Sequence, residues 1–214
     1  MRKELLLCLL LAITNTMLAD EKLNLEAYCQ QIDHAIAHSA DYVAAHEKKI
    51  SETKRALAFE TTPKNKYQIN FQLYELYRAF VSDSAMYHLT ECIKLADQLG
   101  DASGAVKCRA LMAIRCSNIG MYDEALNTLD SIHPVGIDTL SLGIYYEAYN
   151  NVYSELAYYT RLEHMRQTYQ AKADHYKQLM MDILPPTYET RFLRLEQAAQ
   201  GEGRLDDAMK INDA

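Results

Sequence analysis

The chain has 214 residues, 49% of them hydrophobic, which suffices for one domain or two small ones with a genuine core and excludes global disorder. Asp and Glu number 29 against 22 Lys and Arg, a net charge of -7, and a surface of that sign repels phosphates, so this chain is not expected to bind nucleic acid. Seven Gly and four Pro stand beside 16 Tyr, nine Met and no Trp. All-β folds need more turn residues than that, so the composition points to an all-α chain.

At the N-terminus, Arg2 and Lys3 precede an apolar run from Leu5 to Ile13, then Thr14-Asn15-Thr16, and Ala19 before Asp20-Glu21. A basic start, a short apolar stretch and a small residue are the parts of an export signal, and residues 1–19 are read as a signal peptide cut after Ala19. The run is too short to cross about 30 Å of hydrocarbon unless Thr14 to Leu18 join it, with an uncleaved anchor as the alternative. Cys8 lies in the run without a lipidation motif.

A first helical hairpin is expected over 20–60. Its stripes are Leu25, Tyr28, Ile32 and Ile36, then Tyr42, His46, Ile50, Thr53 and Leu57, with Ser39-Ala40-Asp41 as the hinge. Thr62-Pro63 opens the next helix, a cap followed by proline at the first helical position. Apolar residues recurring at three and four predict helices over 64–80, 83–99, 103–118, 122–133, 139–159, 162–183, 188–200 and from 204 on. Links this short make antiparallel neighbours.

Self-similarity runs through the array. Gly120-Met121-Tyr122-Asp123-Glu124-Ala125 precedes Leu129 and Ile132, Gly203-Arg204-Leu205-Asp206-Asp207-Ala208 repeats that grammar, and Phe80-Val81-Ser82-Asp83-Ser84-Ala85 is a looser copy. Each resembles the second half of a tetratricopeptide repeat, where a small residue at 85, 125 or 208 lets two helix backbones approach to about 8 Å. Ala85 and Ala125 are 40 residues apart and Ala125 and Ala208 are 83 apart, hence two units of about 41 where the usual period is about 34. The expected architecture is a right-handed α-solenoid of antiparallel hairpins over 61–214 with its last repeat cut short. Its open end would expose apolar surface and lower solubility.

A narrower resemblance covers the whole chain after the signal segment. Ile32-Asp33-His34-Ala35-Ile36-Ala37-His38, Tyr42-Val43, Glu47-Lys48-Lys49-Ile50, Tyr77-Arg78-Ala79-Phe80 before Asp83-Ser84-Ala85, and Ile183-Leu184-Pro185-Pro186 resemble the N-terminal region of the tetratricopeptide-type, membrane-anchored regulators common in Bacteroidetes. The resemblance implies export, a periplasmic repeat array, one membrane helix, and a cytoplasmic coiled coil ending in a DNA-binding helix-turn-helix; this chain stops before the last three.

Chemistry is sparse. His34 and His38 sit four apart with Asp33 and Asp41 nearby, a two-point metal clip without a third ligand at fixed spacing; histidines solvated or capping near a helix end are the plainer account. His46-Glu47 lacks the second His of a zinc-protease motif. Cys108 and Cys116 are two turns, about 12 Å, apart on one helix and cannot bridge each other. Cys92 could reach one of them across helices in an oxidising compartment, although free buried thiols are the expected state. No phosphate loop exists, since Gly100 to Gly104 reads as a helix link. The carboxylates Glu202, Asp206 and Asp207 suit a helix start. No nucleophile and base come into register, so no catalysis and no cofactor are expected.

Tyr145, Tyr149 and Tyr153 climb one helix at four-residue steps, with Tyr146, Tyr158 and Tyr159 beside them, and read as an inter-helix stripe. With Ala85 as a crossing point, Tyr67, Asn70, Tyr74, Tyr77 and Arg78 should face the concave side. Lys107, Ile114, Ser117 and Asn118 follow from the next repeat, and Asn151 and Ser154 from the third. Such grooves hold extended peptides or partner helices. The expected function is a non-catalytic, periplasmic module that binds a protein or peptide, the sensing part of such a regulator. A free periplasmic scaffold or assembly factor is the alternative, and an unrecognised hydrolase a remote one.

Overall fold

The computed structural model describes residues 26–185 together with 188, 195 and 196. The signal segment 1–19, Ala208, the carboxylates at 202, 206 and 207, the final helix and the shortened last repeat lie outside the described residues. The chain forms two compact units, Met1–Glu52 and Thr53–Ala214.

In the first unit, α1 (26–37) is followed by α2 (Ser39–Phe59), which runs across the unit boundary. Only His38 separates the two helices. The bonds His38 N to His34 O (3.0 Å) and Tyr42 N to His38 O (3.2 Å) carry helical geometry up to and away from it. The hinge expected at Ser39-Ala40-Asp41 therefore lies inside the first turn of α2. Tyr28, Ile32, Ile36 and Tyr42 accordingly stay more than half exposed instead of closing on one another.

The second unit is an ordered series of antiparallel pairs. Its helices are α3 (Pro63–Tyr77), α4 (Ser82–Leu99), α5 (Ala102–Asn118), α6 (Tyr122–Asp130), α7 (Thr139–Tyr159) and α8 (Glu163–Ile183). Each helix packs on its successor, and α5 also lies along α7. Side chains join α3 to α5 as well. The helices therefore sort into one row of α3, α5 and α7 and another of α4, α6 and α8, which is a solenoid of helix hairpins. The unit begins at Thr53 rather than in the link before Pro63, because Lys54 lies 5.3 Å from the Tyr77 ring centroid and Leu57 is half-buried.

Helix ends follow local chemistry. Thr62 is the N-cap of α3 with Pro63 at the first position, but its hydroxyl caps nothing: it donates to Glu60 Oε1 at 2.9 Å. The same carboxylate accepts from the backbone N–H of Thr62 (2.7 Å) and of Thr61 (2.8 Å), and from Asn65 Nδ2 (3.0 Å). The Thr62 N–H foremost, then Asn65, holds the Glu60 pKa down to about 2. Helix α3 stops at Tyr77, where Phe80 N and Val81 N both turn back to Tyr77 O. Helix α6 ends at Asp130, three residues earlier than its apolar pattern suggests, because Pro134 has no N–H to offer and biases His133 out of the α region.

Gly100 closes α4 in the left-handed region, φ 67°, and its N–H reaches back to Ala96 and Asp97. Nothing lies within 4 Å of a side chain added there. Gly100→Ala should therefore lower stability by roughly 1–2 kcal/mol through backbone strain alone, read as a shift in the denaturation midpoint with unchanged slope.

Packing rests on small residues. Ala85 and Ala125 have no exposed surface, and neither do Ala96, Ala110, Ala113 and Ala148. The main apolar cluster joins α5 to α8 through residues such as Leu129, Ile144, Val152 and Ala173. Tyr145, Tyr149 and Tyr153 are buried in that interface. Tyr149 stacks on Tyr176 of α8 at 4.4 Å and donates to Asp130 Oδ1 at 2.6 Å. Tyr146 is half-buried, while Tyr158 and Tyr159 are exposed at the end of α7.

Candidate functional site

The face formed by α3, α5 and α7 divides the expected binding residues into two groups. Asn70, Leu73, Tyr74 and Tyr77 recur at i, i+3, i+4 and i+7, and that stripe is the buried side of α3, with Asn70 and Tyr77 meeting His88 of α4. The expectation that Asn70, Tyr74 and Tyr77 stand open in a groove is therefore corrected. They are 4%, 3% and 8% exposed. Asn70 Oδ1 meets His88 Nδ1 at 2.9 Å, and Asn70 Nδ2 donates to Lys66 O at 2.8 Å. The Tyr77 ring stacks on His88 with centroids 5.7 Å apart. Burial pushes the Tyr74 hydroxyl up to about 12. Ser117 is likewise buried, at 1% exposure. Helix–helix contact takes the face with the best apolar spacing and leaves the flanking residues for solvent.

Those flanking residues come together between α3 and α5. Tyr67 is half-buried, and its hydroxyl lies 3.5 Å from Cys108 Sγ. Phe71, absent from the sequence expectation, stacks beside Tyr67 at 6.4 Å, and Lys107 Nζ lies 4.0 Å from its ring centroid. A half-exposed aromatic ring under an ammonium is an amphipathic surface that can receive apolar and acidic groups together. Phe71 follows Tyr67 by one helical turn, the signal that could have found it.

Toward the other end of the same helices, Arg115 Nη1 donates to Arg78 O at 2.6 Å, tying α5 to the end of α3. The exposed Arg78 side chain pairs with Glu75 at 3.1 Å. With its amide oriented to suit its neighbours, Asn118 Oδ1 accepts from Arg115 Nη2 at 2.6 Å and its Nδ2 donates to Ile114 O at 3.2 Å. Ile114 is half-exposed with its inner side on the apolar cluster.

On α7, Asn151 and Ser154 are half-buried. Asn151 Oδ1 and Arg115 Nε have no hydrogen-bond partner among the described residues. Asp138 N donates to Ser103 Oγ at 2.9 Å, which sets α7 alongside α5 with residue 138 level with 103. The face thus carries the basic side chains of Arg78, Lys107 and Arg115, several amide groups and half-exposed rings. Where a hydroxyl and a carboxylate do meet, Ser141 Oγ donating to Asp138 Oδ2 at 2.9 Å, the pair caps the start of α7.

His34 and His38 lie in the other unit. Their rings are 4.3 Å apart and His38 Nδ1 is 3.0 Å from Asp41 Oδ2. Among the described residues no group of three His, Cys, Asp or Glu is arranged to hold a metal ion. Among the same residues no helix is long and apolar enough to cross a membrane.

The family described as the SusR N-terminal TPR domain, TPR denoting the tetratricopeptide repeat, matches residues 36–214. No curated protein and no solved structure matches this chain.

Proposed function

This chain belongs to the family of SusR N-terminal TPR domains, and we propose that it works as a non-catalytic binding module that receives a protein or peptide on the α3–α5–α7 face. The observation that carries this reading is the surface where Lys107 overlies Phe71 beside Tyr67, drawn from two neighbouring hairpins. Basic and amide groups at Arg78, Lys107, Asn118 and Asn151 suit the carbonyls and carboxylates of an extended chain, and the rings supply apolar area. In the full regulator the module is the exported, sensing half: occupancy of this face biases hairpin packing, and the bias passes to a membrane helix. The export-signal pattern at residues 1–19 and the resemblance to membrane-anchored regulators support that part.

A display library of short peptides selected against the chain tests the reading. Peptides that enrich should lose about tenfold in affinity for each of Lys107→Ala, Phe71→Ala and Arg78→Ala, and keep it for Gln98→Ala on the opposite row. Equal affinity for all four proteins removes this face from consideration. A fusion of an export-dependent phosphatase to the C-terminus reports location, and an inactive fusion overturns the periplasmic assignment.

A further inference from the structure

Two thiols that the binding reading does not use meet in the α4–α5 interface. Cys92 and Cys108 each lie about two turns from the Gly100-Asp101 link, one before it and one after, and antiparallel packing brings them level. Both have no exposed surface. They share Tyr67 of α3 as a neighbour: Cys92 Sγ donates to the Tyr67 carbonyl at 3.6 Å, and the Tyr67 hydroxyl lies 3.5 Å from Cys108 Sγ. Ala96 and Ala105, both buried, hold the two helices close. Cys116 is turned elsewhere, into the cluster with Ala125 and Leu129. The two sulfurs also act on each other's ionisation. Cys92, and then the Tyr67 hydroxyl, draw the Cys108 pKa below its ordinary value against the upward push of burial. The Cys92 thiol is held above its ordinary value by Cys108 and by burial.

We propose that Cys92 and Cys108 are a cross-linking site, a dithiol that an external disulfide converts to a bond pinning α4 to α5. The four described cysteines are free thiols in this structure, so it represents the reduced form. With glutathione disulfide as oxidant, the Cys108 thiolate attacks one sulfur of the oxidant and releases a glutathione thiolate. The Cys92 thiolate then attacks the Cys108 sulfur of the mixed disulfide and releases the second. The protein loses two protons and two electrons, and the oxidant becomes two glutathione thiols. Because both sulfurs are sealed from solvent, the bond forms while the α4–α5 hairpin closes during folding, and oxidant added to the folded chain reacts slowly.

The test refolds the reduced full chain in a glutathione redox buffer, alkylates the denatured product and maps its peptides. The expected product lacks alkylation at Cys92 and Cys108, weighs about 2 Da less than the reduced chain once adducts elsewhere are excluded, and links the two peptides covalently. Closing a loop of this length should lower the unfolded fraction at fixed denaturant about a hundredfold relative to the same chain with reductant. Cys29, which is exposed, reports by its own glutathione adduct that the oxidant was active. Cys116→Ala should leave the cross-link intact, and Cys92→Ala should abolish it. Full alkylation of Cys92 and Cys108 after refolding, with Cys29 modified, overturns the proposal; so does a link from Cys92 to Cys116. None of these outcomes bears on peptide binding, so the two readings stand or fall separately.

Discussion

Ala125→Leu is expected to cost about 3 kcal/mol of stability, at the upper end of what overpacking does. Ala125 has no exposed surface and lies at the start of α6, where that helix meets α5. Its methyl group sets the distance between the two backbones. A leucine needs either a wider crossing, which strips contact from Leu129 and Ala113, or an eclipsed side chain. Both routes lose dispersion contacts that the neighbouring hairpins share, so the loss is felt beyond one pair. Whole-domain stability is about 5–15 kcal/mol, making this a large fraction of it. Chemical denaturation followed by circular dichroism would read the change. Ala56→Leu on the exposed side of α2 serves as the control and should stay within about 0.5 kcal/mol. An unchanged midpoint for Ala125→Leu would show that the hairpin is not held by close approach at this residue.

Asn70→Ala should cost about 2–3 kcal/mol, because it leaves a buried donor without its acceptor. Asn70 and His88 are 4% and 5% exposed and meet at 2.9 Å between α3 and α4. Around the imidazole stand the Tyr77 face and the Tyr87 edge. Burial first, and then the Lys54 ammonium, lower the His88 pKa, with Glu91 opposing weakly. The folded state therefore favours the neutral ring. In the unfolded chain the ring titrates near its ordinary value of about 6.5. The unfolded state binds more protons as acid is added, so the contribution is complete above about pH 6.5 and is lost as pH falls through the depressed folded value. Denaturation midpoints measured from pH 7.5 down to 5 should fall for the wild-type chain, and this part of the fall should vanish in His88→Gln. A His88→Gln profile that tracks the wild type would assign the acid sensitivity to other groups.

The two thiol partners and the polar pair at Asn70 lie on the side of α3 that faces its neighbours, and the Phe71–Lys107 surface lies on the side that remains. Both sides of one helix are thus committed, one to packing and one to the proposed partner. A substitution such as Phe71→Ala can therefore be read in binding with little effect on the α3–α4 interface.

Helix positions were readable from the residues because local signals agree with the packing. Pro63, Gly100 and Asp138 mark helix boundaries, and Asp138 accepts from Ser141 N at 2.8 Å as an N-cap should. The expected 139–159 helix coincides with α7. Apolar spacing at three and four needs no knowledge of the partner helix, so the all-α class and the order of hairpins follow from it. Buried alanines at 85 and 125 were visible for the same reason: a small residue recurring one repeat apart in a helix that is otherwise bulky marks a close crossing.

The face that would meet a ligand was less legible. Tyr67, Asn70, Tyr74 and Tyr77 are all plausible at the level of residue type, and a difference of one position turns a helical side chain by about 100°. Which of them faces α4 depends on His88 and Cys92 across the interface, and these are remote in sequence. The break at His38 is another case, since apolar stripes on either side do not fix the residue at which one helix gives way to the next. By itself, then, the sequence determined that this is a helical repeat chain, where its hairpins turn and which small residues let them close, because those properties depend on neighbours within one or two helical turns. Tertiary structure alone decided that Asn70, Tyr74 and Tyr77 are interior, that Phe71 and Lys107 meet at the surface, and that Cys92 faces Cys108 rather than Cys116, because each depends on the rotation of one helix against another.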